Sequence, residues 1–184
     1  MIEREEAIKL VEEHVTTKNL VKHMLACEAC MRQLAKRMGH DEEVWGLTGL
    51  LHDLDYEETK DKPDIHGKRT VEILGEVGAD LPEEAINAIL AHNKHKEPET
   101  PIEWALYAVD PTSGFIVACA LMHPDRRLNA TDTDFCLRRF GEKSFARGAS
   151  REQIETCKNL GLTRDEFIEL CLSAMQGISD DLGL

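Results

Sequence analysis

This 184-residue chain shows no segment of strand-like alternation, no internal repeat and no low-complexity linker. Those absences argue against a sheet-based fold, a repeat array and tethered domains. The opening residues, Met1-Ile-Glu-Arg-Glu-Glu, lack an apolar signal core, and no stretch is expected to approach the roughly 18 apolar residues of a spanning helix. The expected setting is the cytoplasm, with no membrane partner. Cations are also in short supply: 22 Lys and Arg stand against 35 Asp and Glu, a net charge of −13. The mean field of such a surface repels phosphate polymers and anionic membranes. There is no basic stripe, only the short cluster Lys143 to Arg147 and the pair Arg126-Arg127, so a nucleic acid polymer is not an expected partner. An anionic substrate would need a local positive centre, and a bound dication is the simplest supplier of one.

A disulfide framework is missing as well. The six cysteines, Cys27, Cys30, Cys119, Cys136, Cys157 and Cys171, are scattered through long periodic segments and read as free thiols in a reducing compartment. Cys27-Glu-Ala-Cys30 has zinc-ribbon spacing, but no second pair follows and the segment is helical, which argues against a structural zinc site. Because His23 and Cys27 are four apart, they share a helix face, and one thiol is expected near any metal held by His23.

What is present is helical periodicity with capping chemistry at its boundaries. The spacing predicts a first helix over about 3–16, then one capped by Asn19 and ended by Gly39, and a third from Glu42 to His52 capped by Asp41. Asp55 to Pro63 reads as an acidic loop. A fourth helix spans about Ile65 to Val77, and Pro82 opens a fifth that carries Ile86 and Leu90. Thr100-Pro-Ile-Glu103 predicts a capping box, after which Asp110-Pro111 either kinks the helix or starts a new one. Ser150-Arg-Glu-Gln153 and Thr163-Arg-Asp-Glu166 open two more. The expectation is one all-α domain over 1–184, a bundle of about eight or nine helices, with a core over about 19–123 and a C-terminal helical extension over about 124–184. With 42% hydrophobic residues a sizeable core is available.

Within this pattern His52-Asp53 ends the apolar run from Val44 to Leu51, and adjacent imidazole and carboxylate groups make a ready clamp for a divalent metal. His66 and His92 fall at or beside helix ends, from which side chains converge while the helix bodies pack behind them. His23 and Asp110 lie inside apolar helical stretches, where an isolated carboxylate is costly and needs a partner. His14, His40 and His123 read as ordinary packed or solvated histidines. His95 shares the His92 face only if the helix continues.

In order, His23, His52-Asp53, His66, His92 and Asp110 resemble the ligand pattern of the HD-domain superfamily of metal-dependent phosphohydrolases, in the contexts Thr48-Gly-Leu-Leu-His52-Asp53 and Ile-Leu-Ala-His92 over about residues 19–123. The resemblance implies that His23, His52, Asp53 and Asp110 hold one ion and that Asp53 bridges to a second held by His66 and His92. The imidazole-rich set favours manganese, iron, cobalt, nickel or zinc, with magnesium also possible. Two departures stand out. The frequent His-Asp-Ile-Gly of the family reads His52-Asp53-Leu54-Asp55, and Asn93 takes the place of a second histidine after His92.

The implied activity is hydrolysis of a small phosphate ester, a nucleotide foremost, by metal-activated water. Asp53 positions ions and water, and Lys60 or Lys68 neutralises the substrate phosphate. Lys143 and Arg147 are further candidates for reaching over the mouth of the site. A cyclic dinucleotide phosphodiesterase, a non-catalytic nucleotide-binding regulatory module and an oxygen-dependent di-iron enzyme stay open as alternatives. Oligomeric state is not specified by the sequence.

Overall fold

In the computed structural model, which describes residues 1–142 and 144–184, the chain is all helical, and no strand occurs among the described residues. The first three helices are α1 (Arg4–His14), α2 (Lys18–Met38) and α3 (Glu42–Leu51), followed by α4 (Tyr56–Thr59), α5 (Lys68–Glu76) and α6 (Glu83–His92). Then come the long α7 (Pro101–Met122), α8 (Thr133–Phe140), α9 (Arg151–Ile154), α10 (Arg164–Gln176) and α11 (Ser179–Leu182). Two 3-10 turns cover Leu128–Ala130 and Glu155–Leu160. The count exceeds the expected eight or nine because α4 and α11 are single turns and α8 is only eight residues long, too short for periodicity to reveal.

Helix α3 is the centre of the fold. Every residue from Val44 to Leu51 is buried, the signature of a helix enclosed on all sides, and the Thr48 hydroxyl donates back to the Val44 carbonyl at 2.7 Å. Asp41 caps it as expected, accepting from the amides of Glu43 and Val44. Its C-terminal end therefore delivers His52 and Asp53 into the interior rather than to solvent. Helix α2 lies along α3 through Met24, Cys27, Met31 and Leu34, all fully buried. The approach is close because Gly49 has no side chain: a Cβ there would stand 2.7 Å from the Cys27 carbonyl oxygen and 3.0 Å from the Glu28 nitrogen. Gly49→Ala is expected to cost about 3 kcal/mol and to lower Tm by roughly 6–12 °C, because backbone cannot yield as a side-chain tip can. At Gly46 a Cβ meets only the flexible Arg32 side chain, so Gly46→Ala is the milder change. Thermal unfolding of the two variants checks this, and equal shifts would contradict it.

The α2 N-terminus corrects one expectation. Asn19 is inside the helix, Thr17 is the cap residue without a side-chain cap, and the Glu57 carboxylate from α4 accepts from the Thr16 and Thr17 amides instead. A remote acid near the positive helix end replaces the local cap that spacing suggested. Thr100 likewise makes no capping bond, since the Glu103 carboxylate accepts from the Glu99 amide and Lys96. The box at Thr163 and Glu166 is complete.

Helix α7 runs unbroken through Pro111, with Asp110 in its middle. Proline has no amide hydrogen, which frees the carbonyl four residues earlier. That carbonyl belongs to Tyr107, and the Gln153 side chain from α9 donates to it at 3.3 Å. Continuity through Asp110-Pro111 makes α7 long and apolar enough, by length and composition, to cross a membrane, contrary to the expectation for this chain. In the fold it packs against α2, α6 and α9, with Ala105, Leu106, Val109, Phe115 and Ile116 fully buried.

Candidate metal centre

His23 comes from α2, His52 and Asp53 from the end of α3, His66 from the turn before α5, His92 from the last residue of α6, and Asp110 from α7. The structure brings these six residues together around the Asp53 carboxylate. Its Oδ1 lies 3.3 Å from His66 Nε2, 3.4 Å from His92 Nε2 and 3.5 Å from His52 Nε2, while Oδ2 lies 3.7 Å from His23 Nε2. His23 Nε2 is also 3.3 Å from Asp110 Oδ1.

All four imidazoles are turned the same way. His52 Nδ1 donates to the Gly49 carbonyl at 2.8 Å, His92 Nδ1 to the Ile89 carbonyl at 2.5 Å, His66 Nδ1 to Asp55 Oδ1 at 2.9 Å and His23 Nδ1 to the Ser113 hydroxyl at 2.9 Å. With each Nδ1 held by an acceptor, each Nε2 faces the centre, the orientation a metal ligand requires. His52 Nε2 is fully enclosed and has no hydrogen-bond partner. A buried polar atom without a partner is costly, so this one points to an ion as its missing neighbour. His66 Nε2 and His92 Nε2 stand 3.2 Å apart, close to the about 3.3 Å separation of two imidazoles on one tetrahedral metal. His52, Asp53 and His92 together can hold a metal ion, as can His23, Cys27 and His52.

Charge is distributed unevenly over the cluster. Burial drives the His52 pKa down to about 4, so this ring is neutral near pH 7. Burial opposes protonation at His66 too, but the Asp53 and Asp55 carboxylates outweigh it and push the pKa up to about 10. For Asp53, burial disfavours the carboxylate, yet the surrounding histidines hold its pKa well below the ordinary range. A dication at this point would take the place of the proton that Asp53 and Asp55 favour on His66.

Sequence reasoning gave Asp55 no role beyond a departure from the family pattern. Its carboxylate is fully buried and accepts from the Gly67 amide at 2.8 Å, the Thr70 hydroxyl at 3.0 Å and His66 Nδ1. An acid directly after Leu54, at the end of the apolar stretch that begins at Val44, was the one signal available for this, since a buried carboxylate needs donors. Gly67, at φ +82°, sits in the left-handed region and 3.3 Å from His92 Cε1 measured from a would-be Cβ, so glycine is required there. Asn93 anchors the same loop, donating to the Pro63 carbonyl at 2.7 Å and the His66 carbonyl at 3.2 Å, and His95 bonds the His66 carbonyl rather than reaching the cluster. Thr70 and Ser113 carried no signal in the sequence. His40 stacks on Trp45 and His123 packs on Phe135, both away from the cluster.

A cavity of about 570 Å³ opens onto His23, Asp53 and Asp110 and is walled by Leu20, Tyr56, Gly114, Ala118, Ala146 and Ala149. Among the described residues, none that lines it is lysine or arginine. Lys60 and Lys68 are exposed and do not reach it, and Lys68 Nζ donates to the Asp64 carbonyl at 3.1 Å. Lys68 opens α5 on the solvent side, whereas His66 turns inward, which is why two residues of separation did not bring them together. Arg147 is exposed between wall residues Ala146 and Gly148, and Lys143 lies outside the described residues. The wall is held by Arg151, whose guanidinium donates to the carbonyls of Phe145, Ala146 and Ala149.

Comparison with known proteins agrees with the geometry. The family model described as HD domain matches residues 20–128. Over 97 residues the chain is 36% identical to ribonuclease Y of Sulfurovum sp. (strain NBC37-1), a stretch that is 52% of this chain and 18% of that protein. The chain thus spans less than a fifth of the curated relative it matches. No solved structure matches it.

Proposed function

The chain belongs to the HD-domain family of metal-dependent phosphohydrolases, and from that premise we propose that it hydrolyses a small phosphate ester, a nucleotide by preference. The observation that carries the reading is the ring of four Nε2 atoms around Asp53, with His52 Nε2 buried and unpartnered. The first ion would rest on His23, His52, Asp53 and Asp110, and a second on His66 and His92 with Asp53 between them. A bound dication supplies Lewis-acid activation of water and neutralises the phosphate. The remaining work falls to the protein. Asp53 orients both half-sites through its two oxygens, and the anchored Nδ1 atoms keep the rings from turning. Leu20, Gly114, Ala118 and Ala149 provide an apolar wall for the part of the substrate that does not react.

Two features support a small substrate. The cavity volume of about 570 Å³ is within the range of sites that enclose one small molecule. Among the described residues the lining carries no Lys or Arg, which favours the metal side as the place where phosphate charge is met, and a net charge of −13 disfavours long polyanions. Six buried free thiols support a reducing compartment as its setting. Similarity to ribonuclease Y favours a second reading, cleavage of RNA, by that relative's name.

A salt titration separates the two. A site that neutralises about six phosphates loses roughly a thousandfold in affinity between about 50 and 200 mM salt, whereas an ester held chiefly at the metal loses far less. The expected result is metal-dependent turnover of mononucleotides or simple phosphate esters with a shallow salt slope and weak oligonucleotide binding. Tight, steeply salt-dependent RNA binding without turnover of small esters would replace this reading with the ribonuclease one.

A further inference from the structure

Cys27 lies one turn beyond His23 on α2, fully buried, with its sulfur 3.8 Å from His23 Nε2. Its other polar neighbours described are His23 Nδ1 at 3.9 Å and the Ser113 hydroxyl at 3.7 Å. The unpartnered His52 Nε2 faces the same point, and the donor atoms of His23, Cys27 and His52 all lie within 4.8 Å of one another. The Asp53 carboxylate borders both histidines, with Oδ2 3.7 Å from His23 Nε2 and Oδ1 3.5 Å from His52 Nε2. A tetrahedral ion with bonds of about 2.3 Å to sulfur and about 2.0 Å to nitrogen separates sulfur from nitrogen by roughly 3.5 Å, so the 3.8 Å between Cys27 and His23 Nε2 needs only a small adjustment.

From this arrangement we infer that the chain has a second mode of metal binding, in which Cys27, His23, His52 and Asp53 enclose one thiophilic dication, zinc or its soft analogue cadmium. Asp110 is left out of this set and Cys27 takes its place. Sulfur selects such ions over magnesium and manganese, which prefer oxygen. Binding replaces the Cys27 S–H bond with a sulfur–metal bond and releases one proton to solvent, with no change of oxidation state. Four protein donors fill a tetrahedral ion and leave no position for water or substrate, the mark of a closed site. A soft ion therefore competes with the ion that supports hydrolysis and switches the centre off. Only that last consequence rests on the hydrolase reading, since the sulfur contact is independent of any activity.

The test reads the sulfur directly. The purified full chain, freed of metal, is loaded with one equivalent of zinc and its metal environment measured by X-ray absorption; one sulfur at about 2.3 Å beside nitrogen and oxygen neighbours is expected. In parallel, cadmium titration is followed by thiolate-to-cadmium absorption in the ultraviolet, expected to saturate at one ion per chain. Cys27→Ser should remove both signals and lower zinc affinity by at least about a hundredfold while changing manganese affinity little. Cys30→Ser should retain both. Circular dichroism verifies folding, and Cys27→Ala is the substitute if Cys27→Ser does not fold. A purely nitrogen and oxygen shell in the wild-type protein, or a sulfur signal that persists without Cys27, would overturn the inference. A wild-type sulfur signal in a protein that hydrolyses nothing would leave it standing and remove the hydrolase reading alone.

Discussion

Asp53→Asn is expected to lower hydrolysis by at least about a thousandfold, equivalent to roughly 4 kcal/mol of transition-state stabilisation, and to leave the purified protein depleted of metal. The substitution keeps the shape of the side chain, so the consequence is electrostatic. Both carboxylate oxygens face histidine Nε2 atoms, at 3.3–3.5 Å for Oδ1 and 3.7 Å for Oδ2. An amide brings N–H donors to lone pairs meant for an ion, satisfies them, and removes the negative charge that holds two half-sites together. His23→Ala and Asp110→Ala should follow closely, because both belong to the first half-site. His66→Ala should be the milder change and should show itself mainly in the concentration of added metal needed for turnover. Elemental analysis and kcat/KM on each variant check the order. Wild-type metal content and turnover in Asp53→Asn would remove the site assignment altogether.

How much of this was legible beforehand differs between the ligand residues and what surrounds them. His52-Asp53 announces itself because two coordinating groups end an apolar run, and His66 and His92 stand near the ends of helices that periodicity makes visible. Helix type follows from spacing for the same reason, so α1, α3, α6 and α10 are found close to their expected limits. The missed features depend on partners distant in sequence. Glu57 caps α2 from 40 residues away, and Gln153 takes up the carbonyl that Pro111 frees from 46 residues away. No local pattern records either bond. Lys60 and Lys68 failed to reach the cavity for a related reason: nearness in sequence says nothing about which side of a turn a side chain leaves. The continuity of α7 through Asp110-Pro111 was hidden because the local rule for residues before proline was overridden by tertiary packing.

Asp55→Asn is expected to weaken binding of the second ion by about 10–100-fold and to cost about 2 kcal/mol of stability, a Tm decrease of roughly 4–8 °C. Asp55 is fully buried and its two oxygens accept from three donors, the Gly67 amide, the Thr70 hydroxyl and His66 Nδ1. An asparagine retains one acceptor oxygen and turns an NH2 group toward one of those donors, so a buried donor is left facing another. If the oxygen stays on Gly67, His66 loses the acceptor that keeps its Nδ1 protonated and its Nε2 lone pair aimed at Asp53 and His92. Only the longer contact of Nδ1 with the Thr59 hydroxyl, at 3.3 Å, then holds the ring, and the half-site of His66 and His92 is less firmly fixed. His23, Asp110 and the Gly49 anchor of His52 do not touch Asp55, so the first half-site should keep its ion. Two readouts separate positioning from mere loss of stability. Metal titration below the unfolding temperature should show one ion retained and one weakened, and Thr70→Ala, which removes a donor to Asp55 but leaves His66 anchored, should lower Tm without altering metal stoichiometry. Unchanged binding of both ions in Asp55→Asn would show that Asp53 and Thr59 suffice to orient His66 and that the buried acid serves the fold only.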